Sequence, residues 1–256
     1  MCHRFFLPQT QIEFPMSTIA GAEVNHIKNV LRLKTGDEIC LFDGTGVEYI
    51  ARISQLSSNK AIVEIISKTV SFSESFVHIS IAQSYLKEKK MDLLIRQLTE
   101  LGINHWQPFF SERSIPTPNS KRLLSRGQRW EKIMIEAVKQ CRRSRLMEIG
   151  QSVSFDDMLI SAKDADIKII FWENADKPLS SNAFSSNKHK IRSVYSVIGP
   201  EGGFSANEVL QAVDAGFFPF GIGPRILRAE TAAVAAGTLL QYLFGDFGEK
   251  SLDKTN

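Results

Sequence analysis

Two glycine-bearing loops near the C-terminus carry the residue types best suited to chemistry in this chain. They occupy residues 197–204 and 221–232, and each follows a short apolar run and precedes a helical pattern. Glycine has no Cβ atom, so backbone N–H and C=O groups can approach a ligand closely at such positions. Glu201, Arg228 and Glu230 lie in or beside the same loops. The pair of loops predicts one ligand site built mostly from backbone, with charged groups close to it.

The loops lack the two familiar phosphate-binding fingerprints. A Walker A loop needs Gly, four residues and then Gly-Lys-Ser/Thr, and no such string occurs. A dinucleotide-binding loop needs Gly-x-Gly-x-x-Gly, but the string that begins at Gly221 has Ile226 in place of the third glycine. The side chains beside the glycines are apolar instead, as at Ile198, Ile222 and Leu227. This surface favours a planar base and a thioether or sulfonium over a triphosphate.

Alternating strands and helices must position these loops. Apolar strand-like runs alternate with helical patterns beyond about residue 76, which is typical of an α/β domain with a mainly parallel sheet. Ligands bind such sheets at the carboxyl ends of the strands. Ser205 and Glu208 have capping-box spacing, so a helix is predicted to begin after the first loop, and another is predicted at 87–101. The predicted strands cover residues 76–82, 105–110, 167–172, 194–199 and 217–222.

The first part of the chain follows a shorter, β-like pattern. Apolar runs at 38–42, 49–53 and 61–66 predict strands, and Asp43-Gly44 between the first two is a hairpin signal. One short helix is predicted from about residue 21 to residue 31. A serine-containing stretch at 69–75 then separates this pattern from the next. We therefore expect a β-rich domain at 1–72, an α/β domain at 73–246 and a polar tail at 247–256.

The composition is that of an ordinary globular protein. The chain has 256 residues, a formal net charge of +3 and a pI near 8.7, which permits an RNA partner without requiring one. Its 3 cysteines are scattered and its 5 histidines lack paired spacing, so we predict neither a disulfide framework nor a metal site. Apolar runs are too short for a signal peptide or a membrane span. We expect a cytoplasmic protein without a membrane partner.

The residues of the two loops resemble a known family. The similarity is to the 16S ribosomal RNA uridine-N3 methyltransferases of the SPOUT superfamily, and the two matching strings are Ile198-Gly199-Pro200-Glu201-Gly202-Gly203-Phe204 and Gly223-Pro224-Arg225-Ile226-Leu227-Arg228-x-Glu230-Thr231-Ala232. Further matches run in order from residue 1 to about 244. They include Arg4-Phe5-Phe6, Lys90-Met91, Thr99-Glu100-Leu101-Gly102, Ser111-Glu112-Arg113-Ser114 and Glu136-Ala137.

The resemblance implies a fold, a cofactor and partners. The fold is an α/β SPOUT-type trefoil-knot methyltransferase domain with an N-terminal PUA-like β-barrel that helps to hold RNA. The cofactor is S-adenosylmethionine, and the partners are 16S rRNA, within the assembled small ribosomal subunit, and a second copy in a homodimer. By similarity, the cofactor contacts are Trp172, Glu173, Ile198, Gly199, Pro200, Glu201, Gly202, Gly203, Ile222, Gly223, Ile226 and Leu227.

Uridine methylation also suggests roles for charged residues. The imide proton must leave N3, which puts negative charge on O2 and O4, and Arg228 is a candidate to stabilise it. Glu201 or Glu230 could accept the proton if burial raised its pKa; alternatively, both only cap backbone amides and pair with arginines. Basic clusters predict phosphate contacts, although a solvated helix face is the alternative for each. The predicted RNA contacts are Arg4, Arg32, Lys87, Lys90, Arg113, Arg142, Arg143 and Arg145.

Some positions depart from the family pattern. Ala229 stands where threonine is usual, Ile222 where leucine is usual, and Cys141-Arg142 where Ser-Gly is usual. Arg142 is the informative departure, because a glycine position can require a backbone conformation that arginine tolerates poorly. It either alters the local backbone or adds a charge that faces RNA.

Two other functions are compatible with the same residues. One is a SPOUT methyltransferase that acts on another RNA, since the cofactor loops do not select the substrate. The other is a non-catalytic RNA-binding factor of ribosome assembly that keeps the fold without turnover. Cofactor binding separates the second from an enzyme.

Overall fold

The computed structural model describes residues 2–71, 74–114, 120–180, 184 and 190–248. The chain divides into two units. Unit 1 is Met1–Glu74 with Val138–Leu146, and unit 2 is Ser75–Ala137 with Met147–Asn256. Residues 138–146 therefore group with the N-terminal part of the chain, which a single division at residue 72 does not capture. Most of the tail expected at 247–256 lies outside the described residues.

Unit 1 contains a five-stranded sheet with the order β1-β3-β4-β5-β2. Neighbours are antiparallel except for the parallel pair of β1 and β3. Alternate strand residues are buried in an apolar core that includes Phe5, Ile39 and Val63. A short helix, α1 (Ala22–Asn25), continues as a π-helical turn at His26–Val30. The strands are β1 (His3–Phe6), β2 (Met16–Ala20), β3 (Glu38–Phe42), β4 (Val47–Leu56) and β5 (Lys60–Val70).

The predicted hairpin joins β3 to β4. Asp43 stabilises its turn, because its carboxylate accepts a 2.9 Å hydrogen bond from the backbone of Thr45 and another of 2.9 Å from the hydroxyl of Tyr49. Gly44 has a φ of +86°, a conformation that glycine adopts without strain. The Asp-Gly signal thus identified the turn correctly.

Unit 2 contains a parallel sheet with the order β12-β10-β11-β6-β7-β8, and β9 also pairs with β7. Every described strand pair in it is parallel, which confirms the predicted α/β architecture. The central strands are buried, as parallel strands covered by helices must be. The strands are β6 (His78–Ser84), β7 (His105–Phe110), β8 (Glu148–Ile149), β9 (Val153–Ser154), β10 (Ile167–Phe171), β11 (Ser193–Ile198) and β12 (Phe218–Phe220).

Helices connect these strands. They are α2 (Glu88–Glu100), α3 (Ser120–Cys141), α4 (Phe155–Ser161), α5 (Ala206–Asp214) and α6 (Ala229–Leu243). The apolar face of α2 is buried, and the helix ends before Gly102, whose φ is +79°. Helix α6 packs closely on α2, because a Cβ atom at Gly237 would lie 3.4 Å from Leu101 and 3.5 Å from Leu98. Within the described ranges, no helix combines the length and apolar character needed to cross a membrane.

Candidate active site

A cavity of about 450 Å³ lies at the carboxyl edge of the parallel sheet in unit 2. Its walls come from the ends of β10, β11 and β12, from the start of α6, and from Lys90 in α2. The volume is within the range of small-molecule sites. Both glycine loops line this cavity, because the parallel strands that precede them end at the same edge of the sheet.

The first glycine loop connects β11 to α5. Gly199 and Pro200 are buried, whereas Glu201 is exposed. Gly203 has a φ of +67°, in the left-handed region that favours glycine, and a Cβ atom there would collide with the carboxylate of Glu173. Glycine is therefore favoured at position 203 by backbone conformation, whereas the nearby carboxylate is the exposed end of a flexible side chain that can move aside.

Side chains from two neighbouring strands hold this loop in shape. Gln83, fully buried near the end of β6, donates a 3.0 Å hydrogen bond from Nε2 to the carbonyl oxygen of Gly199. Arg113, which follows β7, donates a 3.2 Å hydrogen bond from Nη1 to the carbonyl oxygen of Gly202. Backbone carbonyls outside regular structure need such partners. The loop conformation is thus fixed by the protein itself.

A buried carboxylate ties the start of α5 to the loop after β7. Glu208 is only 4% exposed, and its two oxygens accept 2.9 Å hydrogen bonds from the backbone N–H groups of Ser205 and Glu112. The hydroxyl of Ser205 accepts a hydrogen bond from the backbone of Glu208 in return, which completes the predicted capping box. The segment that carries Arg113 is therefore anchored beside the first glycine loop.

The second glycine loop runs from β12 to α6. Gly223 has a φ of +143°, and the side chain of Ile226 is 87% exposed at the cavity. Arg228 is the N-cap of α6, and its side chain caps no backbone amide. The first N–H groups of a helix carry partial positive charge. This loop thus presents an apolar side chain and a positive helix end to the same cavity.

Lys90 lies between carboxylates from both loop regions. Its Nζ atom is 3.0 Å from Oε1 of Glu201 and 3.0 Å from Oε2 of Glu230. The side chains of Lys90 and Glu230 are partly buried, with 26% and 18% exposed, whereas that of Glu201 is exposed, at 36%. The sequence grouped Lys90 with the RNA contacts and the two glutamates with the candidate bases, whereas the structure brings all three together.

This cluster changes the acid–base properties of its members. Hydrogen bonding to Glu230 and then to Glu201 raises the pKa of Lys90. Burial acts to raise the pKa of Glu230, but its own backbone amide, Lys90 and Arg228 together outweigh burial, and the pKa is lowered. A general base works best with a pKa near the working pH. The raised pKa on which a proton-accepting role for Glu230 would depend is therefore not found.

Trp172 and Glu173 follow β10 and line the cavity. The indole Nε1 of Trp172 is buried and has no hydrogen-bond partner among the described residues. Buried donors usually have a partner. Because this atom has almost no accessible surface, it does not face the cavity, and the polar side chains of the site instead include the charged groups of Lys90, Glu201 and Arg228.

The cavity contains most of the predicted cofactor contacts. Gly202 is the exception, since its carbonyl is held by Arg113 and it does not line the cavity. Of the candidate catalytic residues, Glu201 and Arg228 line it, and Glu230 reaches it through Lys90. The sequence prediction did not name Gln83 at all, although a glutamine near the end of an apolar strand was the available signal. The further lining residues are Phe171, Phe204, Gly221, Pro224, Arg225, Ala229 and Ala232.

Two of the predicted RNA contacts are engaged within unit 1. Arg143 is buried and forms a 2.9 Å ion pair with Glu74. Arg4 forms a 2.9 Å ion pair with Glu48 and donates to the carbonyl oxygen of Arg143 at 2.8 Å. These contacts attach the segment 138–146 to the N-terminal sheet. The geometry favours a structural role for both arginines, because their guanidinium groups already have protein partners.

Two other predicted RNA contacts have unusual backbone conformations. Arg32 has a φ of +56° and Arg142 a φ of +64°, and both side chains are exposed. Arg142 directly follows α3, at the position where a left-handed glycine commonly ends a helix. The departure from the family's glycine therefore falls where arginine carries a conformational cost.

The remaining predicted RNA contacts are exposed. Lys87 is the N-cap of α2, Arg113 lies beside the first glycine loop, and Arg145 pairs with Gly44 and Thr45 as an isolated β-bridge through its backbone. Their side chains are exposed, as phosphate contacts require. Among the described residues, no group of three or more His, Cys, Asp or Glu is arranged to hold a metal ion.

Two family models match the chain. A model described as an RNA methyltransferase domain matches residues 73–241, and one described as an RNA methyltransferase PUA domain matches residues 19–66. The parallel sheet, the glycine-lined cavity and these matches define an RNA methyltransferase with an N-terminal PUA domain. This confirms the expected fold class, while the trefoil knot stays a prediction of the resemblance.

Relatives at about one-third identity narrow the class. The Bacillus subtilis (strain 168) protein called ribosomal RNA small subunit methyltransferase E is 33% identical over 245 residues, which are 93% of this chain and 96% of that protein. A crystal structure of the Neisseria gonorrhoeae protein of that name, bound to S-adenosyl methionine, is 32% identical with a TM-score of 0.86. The match covers 96% of this chain and 100% of the other. The chain belongs to the ribosomal RNA small subunit methyltransferase E family.

A second solved structure is also similar. It is a methyltransferase from Legionella pneumophila in complex with the cofactor SAM, with 28% identity and a TM-score of 0.84. The similarity covers 96% of this chain and 99% of the other. Both structures therefore match nearly the whole chain, including both units.

Proposed function

We propose that the protein transfers a methyl group from S-adenosylmethionine to N3 of a uridine in the ribosomal RNA of the small subunit. The observation that carries this proposal is the cavity lined by both glycine loops. It combines apolar walls, glycine-bearing loops and a charged cluster at one sheet edge. The names of the relatives and the S-adenosyl methionine in the Neisseria structure support the same reaction and cofactor here.

The residues present fit this cofactor. Gly199 and Gly203 keep side chains out of the first loop, so its backbone can approach an adenosine. Ile222 and Leu227 offer apolar contacts, and the side chain of Glu201 offers an acceptor for polar groups of the ligand. When bound, S-adenosylmethionine supplies an electrophilic methyl group on a positively charged sulfur.

Arg228 is the residue best suited to assist the chemistry. The N3 proton of uridine must leave, which puts negative charge on O2 and O4, and the N3 electron pair forms the new N–C bond as the methyl–sulfur bond breaks and its electron pair stays on the departing thioether sulfur. The exposed guanidinium of Arg228 and the positive end of α6 lie at the cavity, where they would stabilise that charge. Holding N3 in line with the methyl group also accelerates the reaction, since alignment can lower the activation barrier by roughly 7–11 kcal/mol.

The carboxylates are less suited to take the proton. Glu230 has a lowered pKa, and both glutamates form ion pairs with Lys90. A carboxylate stabilised in its ionised form is a weak base. In this proposal Glu201 and Glu230 shape the site, and the proton passes to solvent water or hydroxide. Turnover should therefore rise with pH as more of the uridine ionises.

The decisive assay uses labelled S-adenosylmethionine with three acceptors. These are small subunits from a strain that lacks the modification, free 16S rRNA, and large subunits. We expect label in the small subunit and little in the large subunit. Transfer to another RNA alone would contradict the substrate assignment. Failure to bind S-adenosylmethionine in calorimetry would instead favour a non-catalytic assembly factor.

We also propose that the protein acts as a homodimer, as the family resemblance implies. Sedimentation equilibrium of the purified full-length chain, with a mass of 28.7 kDa per copy, tests this directly. A species of twice that mass at micromolar concentration is expected. A monomer that is fully active at the same concentration would contradict the proposal.

A further inference from the structure

The cluster of Lys90, Glu201 and Glu230 joins three separate elements of unit 2. Lys90 comes from the first turn of α2, Glu201 from the first glycine loop, and Glu230 from the first turn of α6. Both ion pairs have N–O distances of 3.0 Å. One lysine side chain therefore connects the start of two helices to the loop between β11 and α5.

A lysine at this position is electrostatically unfavourable on its own. The N-terminus of a helix carries partial positive charge, so a cation in the first turn is destabilising there. Lys90 also lies near the N-terminus of α6, because its partner Glu230 is in the first turn of that helix. The positive end of α6 therefore adds to the positive potential around Lys90. The two carboxylates offset this potential. Lys90 thus has a specific pairing role that its helix position alone would not favour.

Lys90 links α2 to α6 through Glu230, and a second polar contact joins the same two helices. Roughly three turns further along both helices, Nε2 of Gln241 donates a 2.9 Å hydrogen bond to the carbonyl oxygen of Leu101. Close packing at Gly237 lies between these two links. The helices therefore run side by side, and Lys90 fixes the ends that face the cavity.

We propose that Lys90 is a positioning residue that sets the separation of the two glycine loops, rather than a contact for RNA phosphates. Glu201 belongs to the first loop. Glu230 lies two residues after Arg228, at the point where the second loop passes into α6. Pairing both with one cation keeps the loops at a fixed distance across the cavity. This inference rests on the proposed function, in which that cavity holds S-adenosylmethionine.

Calorimetric binding of S-adenosylmethionine to the full-length protein tests the inference. The variant Lys90→Met keeps the length of the stem and removes both ion pairs. Because both ion pairs that hold the loops are lost, we expect Kd to rise about tenfold. Lys90→Arg retains the charge and should restore a large part of the affinity. The KM for small subunits at saturating cofactor should stay the same.

Lys89→Met is the matched control. Lys89 is an exposed lysine in the same helical turn, and its replacement changes the net charge equally. Cofactor affinity should be unchanged in this variant. A thermal melt of each protein establishes that it is folded.

The double variant Glu201→Gln/Glu230→Gln removes both negative charges of the cluster. Its Kd for S-adenosylmethionine should also rise about tenfold, so it replaces Lys90→Met as the test if that variant does not fold. Adding Lys90→Met to that background should cause no further loss of affinity, because the interaction is already gone.

The outcomes separate the inference from the proposed function. If the wild-type protein binds the cofactor and Lys90→Met binds it equally well, the inference is wrong. A different result would identify Lys90 as a phosphate contact instead. In that case cofactor affinity is unchanged, the KM for RNA rises, and the slope of log RNA affinity against log salt concentration falls by about one. If the wild-type protein does not bind S-adenosylmethionine, the proposed function itself fails.

Discussion

The side-chain amide of Gln83 donates a 3.0 Å hydrogen bond to the carbonyl oxygen of Gly199. These residues lie 116 positions apart in the chain, at the ends of the adjacent strands β6 and β11. Gln83 is completely buried, and its Nε2 atom also donates to the carbonyl oxygen of Ser84 at 3.0 Å. A polar side chain inside the sheet thus determines how the first glycine loop leaves its strand.

Gln83→Met should weaken both the fold and the site. The substitution removes the donor to the carbonyl oxygens of Gly199 and Ser84, a loss that costs roughly 1–3 kcal/mol in the free energy of unfolding. Part of this cost is offset, because the buried Oε1 atom of Gln83, which has no partner among the described residues, is removed as well. Cofactor affinity should fall as well, since Gly199 lines the cavity. Urea unfolding and calorimetry measure the two effects. Gln211→Met, at an exposed position in α5, is the control, and equal behaviour of the two variants would contradict this role for Gln83.

Gly203→Ala should destabilise the first loop through its backbone conformation. The left-handed φ costs an alanine about 1–2 kcal/mol, whereas the atom nearest to its Cβ belongs to the carboxylate of Glu173, an exposed and flexible side chain that can move aside. Adding Glu173→Ala should therefore change the free energy of unfolding little further. Urea unfolding of the single and double variants tests this, and a large recovery of stability in the double variant would contradict it. Gly127→Ala, in α3 with open space around its Cα atom, should instead be neutral or stabilising.

Arg228→Ala should lose methyl transfer and keep cofactor affinity. The positive charge matters most when the uridine ring becomes anionic, so the single-turnover rate should fall by about 10²–10³-fold. Arg228→Lys should retain part of the rate. Rapid-quench assays with small subunits measure the rate, and calorimetry measures the affinity. An unchanged single-turnover rate in Arg228→Ala would remove Arg228 from the mechanism.

Arg142→Gly should stabilise the protein. Arg142 has a φ of +64° directly after α3, where glycine is free of the steric cost. We expect a gain of about 0.5–1 kcal/mol in the free energy of unfolding, after the greater freedom of glycine in the unfolded chain is subtracted. Arg142→Lys keeps both charge and strain and should leave stability unchanged. A loss of stability in Arg142→Gly would mean that the arginine side chain outweighs its backbone cost.

Glu48 should contribute to acid unfolding of unit 1. Burial acts to raise its pKa, but hydrogen bonds from Ser144 and Arg4 outweigh burial and lower the pKa from its ordinary value of 4.5. A carboxylate with a lowered folded-state pKa stabilises the fold above its ordinary pKa, and that contribution is lost as pH falls through the lowered value. Unfolding measured from about pH 7 to about pH 3 should therefore be less pH-dependent in Glu48→Gln. An identical pH profile would exclude this contribution.

Local patterns in the sequence predicted much of the fold. The Asp43-Gly44 turn, the Ser205–Glu208 capping box and the buried face of α2 depend on residues close together in the chain, and all three are found. The strands of the parallel sheet also follow from short apolar runs. The arginine at position 142, where the family pattern has glycine, predicted an unusual backbone conformation. The structure shows a φ of +64° there, directly after α3.

Contacts between distant residues could not be predicted in this way. Nothing in the local sequence of Lys90 shows that it meets Glu201 and Glu230, so its charge suggested RNA instead. Arg4 and Arg143 illustrate the same limit, since charge alone does not distinguish an exposed arginine from one paired inside the fold. Residues 138–146, which include Arg143, group with unit 1, and short-range patterns do not show this either.

The identity of the methylated nucleoside tests the central claim most directly. Small subunits lacking the modification are incubated with the protein and S-adenosylmethionine, the 16S rRNA is digested to nucleosides, and the product is compared with synthetic standards by liquid chromatography and mass spectrometry. The account predicts a single new product that coelutes with 3-methyluridine and forms about 10²–10³-fold more slowly with Arg228→Ala. A methyl group on C5 of uridine, on ribose or on another base would contradict it.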